Sequence, residues 1–238
     1  MLPDGRMLVS SSGDKTVRLW NVADGNQLQI LNGNTRAVRT VAFSPDGKLL
    51  ASGGVDGSVR LFQTATGKAL DVPFGHHEAV LGVAFSPDGR FLASASADHT
   101  IKLWDVATSG IVRGFAGHRT GVRSIGFSPD GTMLVSGGED QTIRLWDVAS
   151  GRSIRVIEGQ SSVVKSVAFS PDGSRIASGG GDGRTKLWDA ATGAELRTLG
   201  SITAPDGCCG IYSVAFSPNG KLLAIGGTST TITLWRMP

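Results

Sequence analysis

The sequence predicts an all-β fold built from repeated four-stranded antiparallel sheets, and three observations predict it. The stretch Phe85–Asp105 recurs in similar form three more times, with looser copies at both ends of the chain. The prolines of this repeat stand 42 residues apart from Pro3 to Pro171, and a last interval of 47 residues leads to Pro218. No segment shows the i, i+3, i+4, i+7 spacing of apolar residues that is typical of a helix. Four-stranded sheets repeated at about 40–45 residues are the blades of a β-propeller.

Each repeat predicts four short strands. They are expected at Ile111–Phe115, Val122–Phe127, Phe91–Ser94 (with its equivalent one repeat later, Met133–Ser136) and Ile143–Asp147. All four combine β-branched and aromatic residues over four to six positions and are bounded by glycine-rich turns. A Ser-Pro-Asp-Gly sequence closes the second and third strands into a hairpin, because proline presets φ and glycine accepts a positive φ.

Composition narrows the classes of function. The 34 glycines indicate many tight turns, and a net charge of +3 suggests no more than a weak preference for acidic partners. No run of 18 uncharged apolar residues predicts a membrane span, and residues 1–10 lack the pattern of a signal peptide. Two adjacent cysteines, Cys208 and Cys209, fit reduced thiols better than a disulfide scaffold. We therefore expect a cytoplasmic protein that does not bind a membrane.

One segment carries a family resemblance. Gly117–Asp147 has the sequence GHRTGVRSIGFSPDGTMLVSGGEDQTIRLWD. From its Gly-His pair to its Trp-Asp pair it resembles the WD repeat, and the resemblance covers essentially the whole chain in register. The kelch propeller is the nearest alternative, but its period is longer and its di-glycine signature stands elsewhere. The resemblance implies that residues 1–238 form a single WD-type β-propeller domain of six blades.

The resemblance also implies a buried polar network of four side chains in each repeat. Histidine follows the glycine, serine ends a strand, aspartate stands in the next turn, and tryptophan completes the set. The full set occurs twice, as His76, Ser94, Asp98, Trp104 and as His118, Ser136, Asp140, Trp146. Other repeats are partial: Asn34, Gln160 and Ser201 replace the histidine, Ile225 the serine and Ser229 the aspartate.

Serine, histidine and aspartate are also the residue types of a hydrolase triad. Here the set recurs at the same place in successive repeats, and no Gly-x-Ser-x-Gly elbow accompanies it. The four histidines, His76, His77, His99 and His118, have no metal-ligand spacing, and Gly179–Gly183 lacks the Lys-Ser pair and helix of a phosphate loop. The sequence therefore predicts no catalytic residue, no metal and no cofactor.

The resemblance places a partner surface on the top face of the propeller, at three positions in each blade. Two of these positions carry the predicted contacts. The residues just after the first apolar residue of the inner strand are Arg39, Leu81, Arg123, Lys165 and Tyr212. Those just before the turn aspartate are mostly small, with Val55 extending an apolar stretch and Glu139 as the one charge. Such a largely basic surface suits an acidic or phosphorylated peptide. The alternative is a ring of solvated side chains without a ligand.

Gly200–Tyr212 is the one connection that breaks the period. It contains both cysteines and the single tyrosine, and it is expected on the top face because it joins an outer strand to the next inner strand. An irregular loop on a regular scaffold often serves recognition. Cys208 and Cys209 are therefore included in the predicted partner surface as free thiols, although a functionally neutral insertion explains the loop equally well.

The two ends of the chain fall inside blades. The first blade lacks its innermost strand and the last lacks its outermost, so that 22 strands are predicted where six whole blades have 24. We expect a fragment of a longer WD-repeat protein, with unpaired sheet edges through which copies could associate.

The function predicted from the sequence is a non-catalytic scaffold that binds a protein or an acidic peptide. One alternative is a nucleic-acid-associated propeller, but the chain lacks a Lys/Arg run and a stripe of interleaved aromatic residues. A second alternative is the regulatory or targeting part of a larger enzyme whose active part lies outside this chain.

Overall fold

The computed structural model describes residues 4–70, 72, 74–201, 210–229 and 231–237. The chain divides into two compact units, Met1–Ala116 and Gly117–Pro238. Each unit contains three antiparallel sheets whose strands are neighbours in the order of the sequence. The prediction of a single domain over residues 1–238 stays a prediction.

Eleven strands form the three sheets of the first unit. The first sheet contains β1 (Met7–Ser11), β2 (Val17–Asn21) and β3 (Gln27–Leu31). The second contains β4 (Val38–Phe43), β5 (Leu49–Gly54), β6 (Val59–Gln63) and the short β7 (Ala69–Leu70). The third contains β8 (Val80–Phe85), β9 (Phe91–Ser96), β10 (Thr100–Asp105) and β11 (Gly110–Ala116).

The second unit repeats this arrangement with eleven further strands. Its first sheet, the fourth of the chain, contains β12 (Val122–Phe127), β13 (Met133–Gly138), β14 (Ile143–Asp147) and β15 (Ser153–Ile157). The fifth contains β16 (Val164–Phe169), β17 (Arg175–Gly180), β18 (Arg184–Asp189) and β19 (Glu195–Ser201). The sixth contains β20 (Ile211–Phe216), β21 (Leu222–Gly227) and β22 (Ile232–Arg236).

The predicted fold class is confirmed. All 22 predicted strands occur in the described residues, and the first and sixth sheets have three strands each, as expected. The sequence repeat and the sheet are offset by one strand, since β11 pairs with β10 in the third sheet while β12 begins the fourth. Among the described residues there is no helix that could cross a membrane.

The Ser-Pro-Asp-Gly hairpins are held by their own serine and aspartate. In the third sheet the Ser86 hydroxyl donates to Asp88 Oδ1 at 2.5 Å and accepts the Phe91 N–H at 2.8 Å. Gly89 has a φ of 71°, a left-handed conformation that glycine adopts without steric cost. The turn therefore satisfies its polar groups locally and leaves the two strands free to pair.

The hydrophobic cores lie between neighbouring sheets of the same unit. Between the fourth and fifth sheets the buried residues include Val135, Ile143, Leu145, Val164 and Trp188. Glycine allows the two sheets to approach closely, because a Cβ on Gly137 would lie 2.5 Å from Val164 Cγ1. Both faces of an inner sheet are thus covered, which explains why these strands are apolar on both sides.

Replacing Trp146 tests the packing of the fourth sheet. Trp146 is 1% exposed, so Trp146→Ala is expected to lower the free energy of unfolding by about 3–5 kcal/mol. Trp146→Phe should lower it by only about 1–3 kcal/mol, because a buried six-membered ring remains although the five-membered ring of the indole and its N–H are lost. Phe62 occupies the same position in the second sheet and is fully buried. Urea unfolding measures both losses, and equal losses for the two variants would contradict this assignment.

Candidate functional site

A buried chain of hydrogen bonds links four side chains in the third sheet. The indole Nε1 of Trp104 donates to Ser94 Oγ at 2.9 Å, and Ser94 Oγ lies 2.7 Å from His76 Nε2. His76 Nδ1 lies 3.0 Å from Asp98 Oδ2. The fourth sheet has the same chain with distances of 2.8, 2.8 and 3.0 Å, through Trp146, Ser136, His118 and Asp140. The structure therefore brings together both sets of residues that the resemblance implied.

Burial determines the protonation of this network. It lowers the pKa of His76 and of His118 below the usual value, although the neighbouring aspartates act in the opposite direction. Burial raises the pKa of Asp98, but hydrogen bonds from Thr100 and the proximity of His76 lower it more, to about 2. A neutral imidazole beside a carboxylate fixes the direction of each bond. Nδ1–H donates to aspartate, and Nε2 accepts the serine hydroxyl, which in turn accepts the indole N–H.

The order of contacts from serine through histidine to aspartate is that of a hydrolase triad. Ser94 and Ser136 are both 0% exposed, and each hydroxyl already accepts an indole N–H. No substrate can reach either hydroxyl in this structure. What the network does is structural, since Asp98 also accepts the backbone N–H of His77 at 3.1 Å and so holds the loop that leads into β8.

The second sheet replaces the network with an ion pair. Asn34 stands at the histidine position, where its Oδ1 accepts the Ser52 hydroxyl at 3.1 Å while its buried Nδ2 has no hydrogen-bond partner. The freed Asp56 pairs with Arg60 at 3.0 Å and accepts the hydroxyl of Thr35. Burial raises the pKa of Asp56, but hydrogen bonds from Ser58, Thr35 and Arg60 hold it well below its usual range.

The fifth and sixth sheets depart further. Gln160 donates to Ser178 in the fifth sheet, and its buried Oε1 has no partner. In the sixth sheet Ile225 is buried at the serine position, and Ser229 donates to the carbonyl of Thr231 at 3.1 Å. The side chain of Ser201 lies outside the described residues. Only the third and fourth sheets therefore carry the complete network among the described residues.

A β-bulge lies near the start of each inner strand. In β4 the ladder passes from Val38 opposite Gly54 to Thr40 opposite Gly53, which leaves Arg39 without a partner in the ladder. Five strands share this irregularity, and the residues skipped, here called the bulge residues, are Arg39, Leu81, Arg123, Lys165 and Tyr212. A bulge redirects the side chain of its extra residue. Five of the nine residues predicted to contact a partner are thus the bulge residues, a feature that the sequence analysis did not predict.

A backbone hydrogen bond places a second predicted position beside each bulge. The Val55 N–H donates to the Ala37 carbonyl at 2.9 Å, and the Glu139 N–H donates to the Gly121 carbonyl at 2.9 Å. In each case the donor precedes the turn aspartate and the acceptor precedes the first apolar residue of the inner strand. Val55 and Glu139 therefore lie next to the bulges of their own sheets.

In the first unit the charge of the bulge residues is unpaired. Arg39 is exposed and forms no hydrogen bond or ion pair through its guanidinium with another described residue. Leu81 and Val55 are half-buried. Around its bulges, the described part of this unit thus offers one cation without an ion pair and two partly accessible apolar side chains.

In the second unit both basic bulge residues, Arg123 and Lys165, contact another side chain. Arg123 is paired with Glu139, through contacts of 2.8 Å from Nε and 2.6 Å from Nη2 to the same carboxylate oxygen. Lys165 Nζ lies 4.3 Å from the ring centroid of Tyr212, whose side chain is 59% exposed. The bulge brings Arg123 within reach of a residue 16 positions later, which the sequence pattern did not reveal.

Two further sequence predictions concern the cysteines and metal binding. Cys208 and Cys209 are outside the described residues, so their inclusion in the partner surface stays a prediction. Within the described part of the chain, no three His, Cys, Asp or Glu side chains are grouped as a metal ion requires.

Comparison with known families identifies the repeat. A family model described as "WD domain, G-beta repeat" matches six stretches, at residues 1–21, 25–63, 67–105, 110–147, 151–189 and 196–236. These stretches cover most of the chain. A search of the curated proteins gives no match.

Acid should destabilise the protein through the two network histidines. Their pKa values are lower in the folded chain, so below about pH 6.5 the unfolded chain binds protons that the folded chain does not. The free energy of unfolding is therefore expected to have its full value above pH 6.5 and to decrease as the pH falls from 6.5 to 5. Urea unfolding at pH 7.5 and pH 5 measures the difference.

The variants that test whether the two histidines cause this pH dependence copy a residue that the chain already has at the equivalent position. His76→Asn combined with His118→Asn, which copies Asn34, should reduce the difference between the two pH values. His99→Asn on an exposed turn is the control and should keep it. An unchanged difference in the double variant would show that other groups cause the pH dependence.

Proposed function

Because the chain belongs to the WD-repeat family, whose propellers generally serve as protein-interaction scaffolds, we propose that it binds an acidic segment of a partner protein at its bulge residues. The proposal extends to phosphorylated segments, since guanidinium and ammonium groups bind carboxylates and phosphates alike. It includes a cytoplasmic location and a non-catalytic role.

The observation that supports this proposal is the repeated bulge. A bulge frees one residue per inner strand from the ladder, and three of the five residues are basic. Arg39 is exposed without a carboxylate partner, while Lys165 stands above the exposed ring of Tyr212. A cation beside an accessible aromatic ring offers charge and apolar contact to the same peptide. Arg123 contributes less, because Glu139 neutralises it.

A non-catalytic role is supported by the burial of the serines. The two Ser–His–Asp sets hold their hydroxyls at 0% exposure and bond them to tryptophan. Opening either set to a substrate would unpair buried polar groups, which costs stability.

Self-association through a sheet edge remains part of the proposal. Ile232 and Leu234 on β22 are 74% and 63% exposed, whereas their equivalents Ile143 and Leu145 on β14 are 0% and 1% exposed. An apolar edge strand of this kind favours contact with another chain.

Charge reversal tests the bulge residues. Arg39→Glu and Lys165→Glu should each weaken the binding of acidic or phosphorylated peptides from a peptide array, by about tenfold per lost charge-assisted contact. Arg152→Glu makes the same change of charge on an exposed turn that carries no bulge and should leave binding intact. If all three variants lose binding equally, the peptides respond to net charge and the bulge residues are not the site.

A further inference from the structure

A second basic surface lies between the fifth and sixth sheets, at the opposite ends of their inner strands from the bulge residues. An open cavity of about 740 Å³ is formed there by the two hairpins that follow β16 and β20. Three cations line it, namely Arg175, Lys221 and Arg236. The side chains of these three form no ion pair with another described residue. We call these three residues and the cavity the basic groove.

One carboxylate also lines the basic groove, and its oxygens are already engaged. Asp172 accepts hydrogen bonds from the Ser170 hydroxyl and from the N–H and hydroxyl of Ser174. These bonds, with that of Ser170 the largest cause, lower the pKa of Asp172 to about 2. Asp172 is therefore ionised at neutral pH and offsets one of the three cations, which leaves the groove an excess of positive charge.

The sixth repeat has lost two carboxylates at this place. Its hairpin sequence is Ser-Pro-Asn-Gly, with Asn219 where the other five repeats have aspartate. Asn219 Oδ1 still accepts the Ser217 hydroxyl at 2.7 Å and the Lys221 N–H at 3.0 Å, so the turn is kept and only the charge is removed. Arg236 follows the tryptophan where the third, fourth and fifth sheets have Asp105, Asp147 and Asp189. Both changes line the same cavity.

The corresponding cavity between the second and third sheets has the opposite charge. It measures about 390 Å³, contains Asp46 and Asp88, and has no cation in its lining. The positive charge of the groove is thus not a general property of the repeat.

The groove also has an apolar part that extends its length. Phe216, Leu222 and Met237 line it. A smaller cavity of about 200 Å³ adjoins it through Arg175, Arg236 and Met237, and adds Arg197 with Leu196 and Leu199 of β19. Four cations and several apolar side chains therefore line the two adjoining cavities.

We propose that the basic groove binds an extended acidic peptide segment of a partner protein, in which carboxylate and apolar side chains alternate. Arg175, Arg197, Lys221 and Arg236 bind the carboxylates through charge-assisted hydrogen bonds. Phe216, Leu222 and Met237 receive the apolar side chains, which nucleic acid does not offer. The site is separate from the bulge residues and goes beyond the function proposed above.

The test measures the fluorescence anisotropy of a labelled short peptide of alternating glutamate and leucine, with the full chain at two salt concentrations. Arg236→Asp gives the sixth sheet the residue of the third, fourth and fifth sheets and should weaken binding at least about tenfold. The double variant Arg236→Asp, Asn219→Asp should weaken peptide binding further. Arg184→Asp makes the same change of charge on an exposed residue outside the groove and should leave the affinity unchanged.

Several results would overturn the proposal. One is equal binding of a peptide with glutamine in place of glutamate, and another is equal loss in Arg236→Asp and Arg184→Asp. Tighter binding of a single-stranded oligonucleotide than of the peptide would identify a nucleic-acid site instead. Thermal unfolding checks that each variant is folded. If Arg236→Asp does not fold, Lys221→Glu at an exposed position is used in its place.

Discussion

With the exception of the sixth sheet, which has Ser229 at this position, the described blades depend on the carboxylate of the turn aspartate. In the first five sheets it accepts the backbone N–H of the residue two positions later, at 2.9–3.2 Å, and so closes the turn before the third strand. What differs is its second partner: Arg18, Arg60, His76, His118 and Ser161 in turn. A partly buried carboxylate must be satisfied, and each sheet does so with the side chains that its repeat supplies.

The choice of second partner has consequences for the surface. Where it is histidine, the carboxylate also accepts the next backbone N–H, from His77 in the third sheet and from Arg119 in the fourth. These bonds fix the loop that leads into the inner strand, and the bulge follows a few residues later. The bulge itself does not require the network, because the second, fifth and sixth sheets have the bulge without the complete set of network residues.

Much of the fold could be predicted from the sequence because each strand and turn occurs several times, and its copies can be compared with one another. A proline, a glycine and a tryptophan at constant spacing identify hairpins and strands independently of any one window. The networks of the third and fourth sheets were implied by the resemblance to the WD repeat. The bulges were not, since a bulge depends on how many residues of one strand oppose those of its neighbour, and the sequence of one strand does not reveal that register. The Arg123–Glu139 pair was missed in consequence.

The basic groove, too, could be predicted only in part from the sequence. Asn219 and Arg236 are visible in the sequence as departures from the repeat, but they stand 17 positions apart, one in the turn before β21 and the other at the end of β22. Only the pairing of β21 with β22 brings them to one cavity. Sequence comparison between repeats could have identified both residues, and the structure was needed to connect them.

The central claim is that the turn aspartate stabilises a blade most where a buried histidine depends on it. Asp140 and Asp182 offer a matched comparison within one unit, since both accept the backbone N–H two residues later, at 3.1 and 3.0 Å. Asp140 also orients buried His118, whereas Asp182 accepts the hydroxyl of exposed Ser161. The most direct measurement is the free energy of unfolding of Asp140→Ala and of Asp182→Ala in urea at pH 7.5. We predict that Asp140→Ala loses about 1–3 kcal/mol more than Asp182→Ala; equal losses would contradict the account.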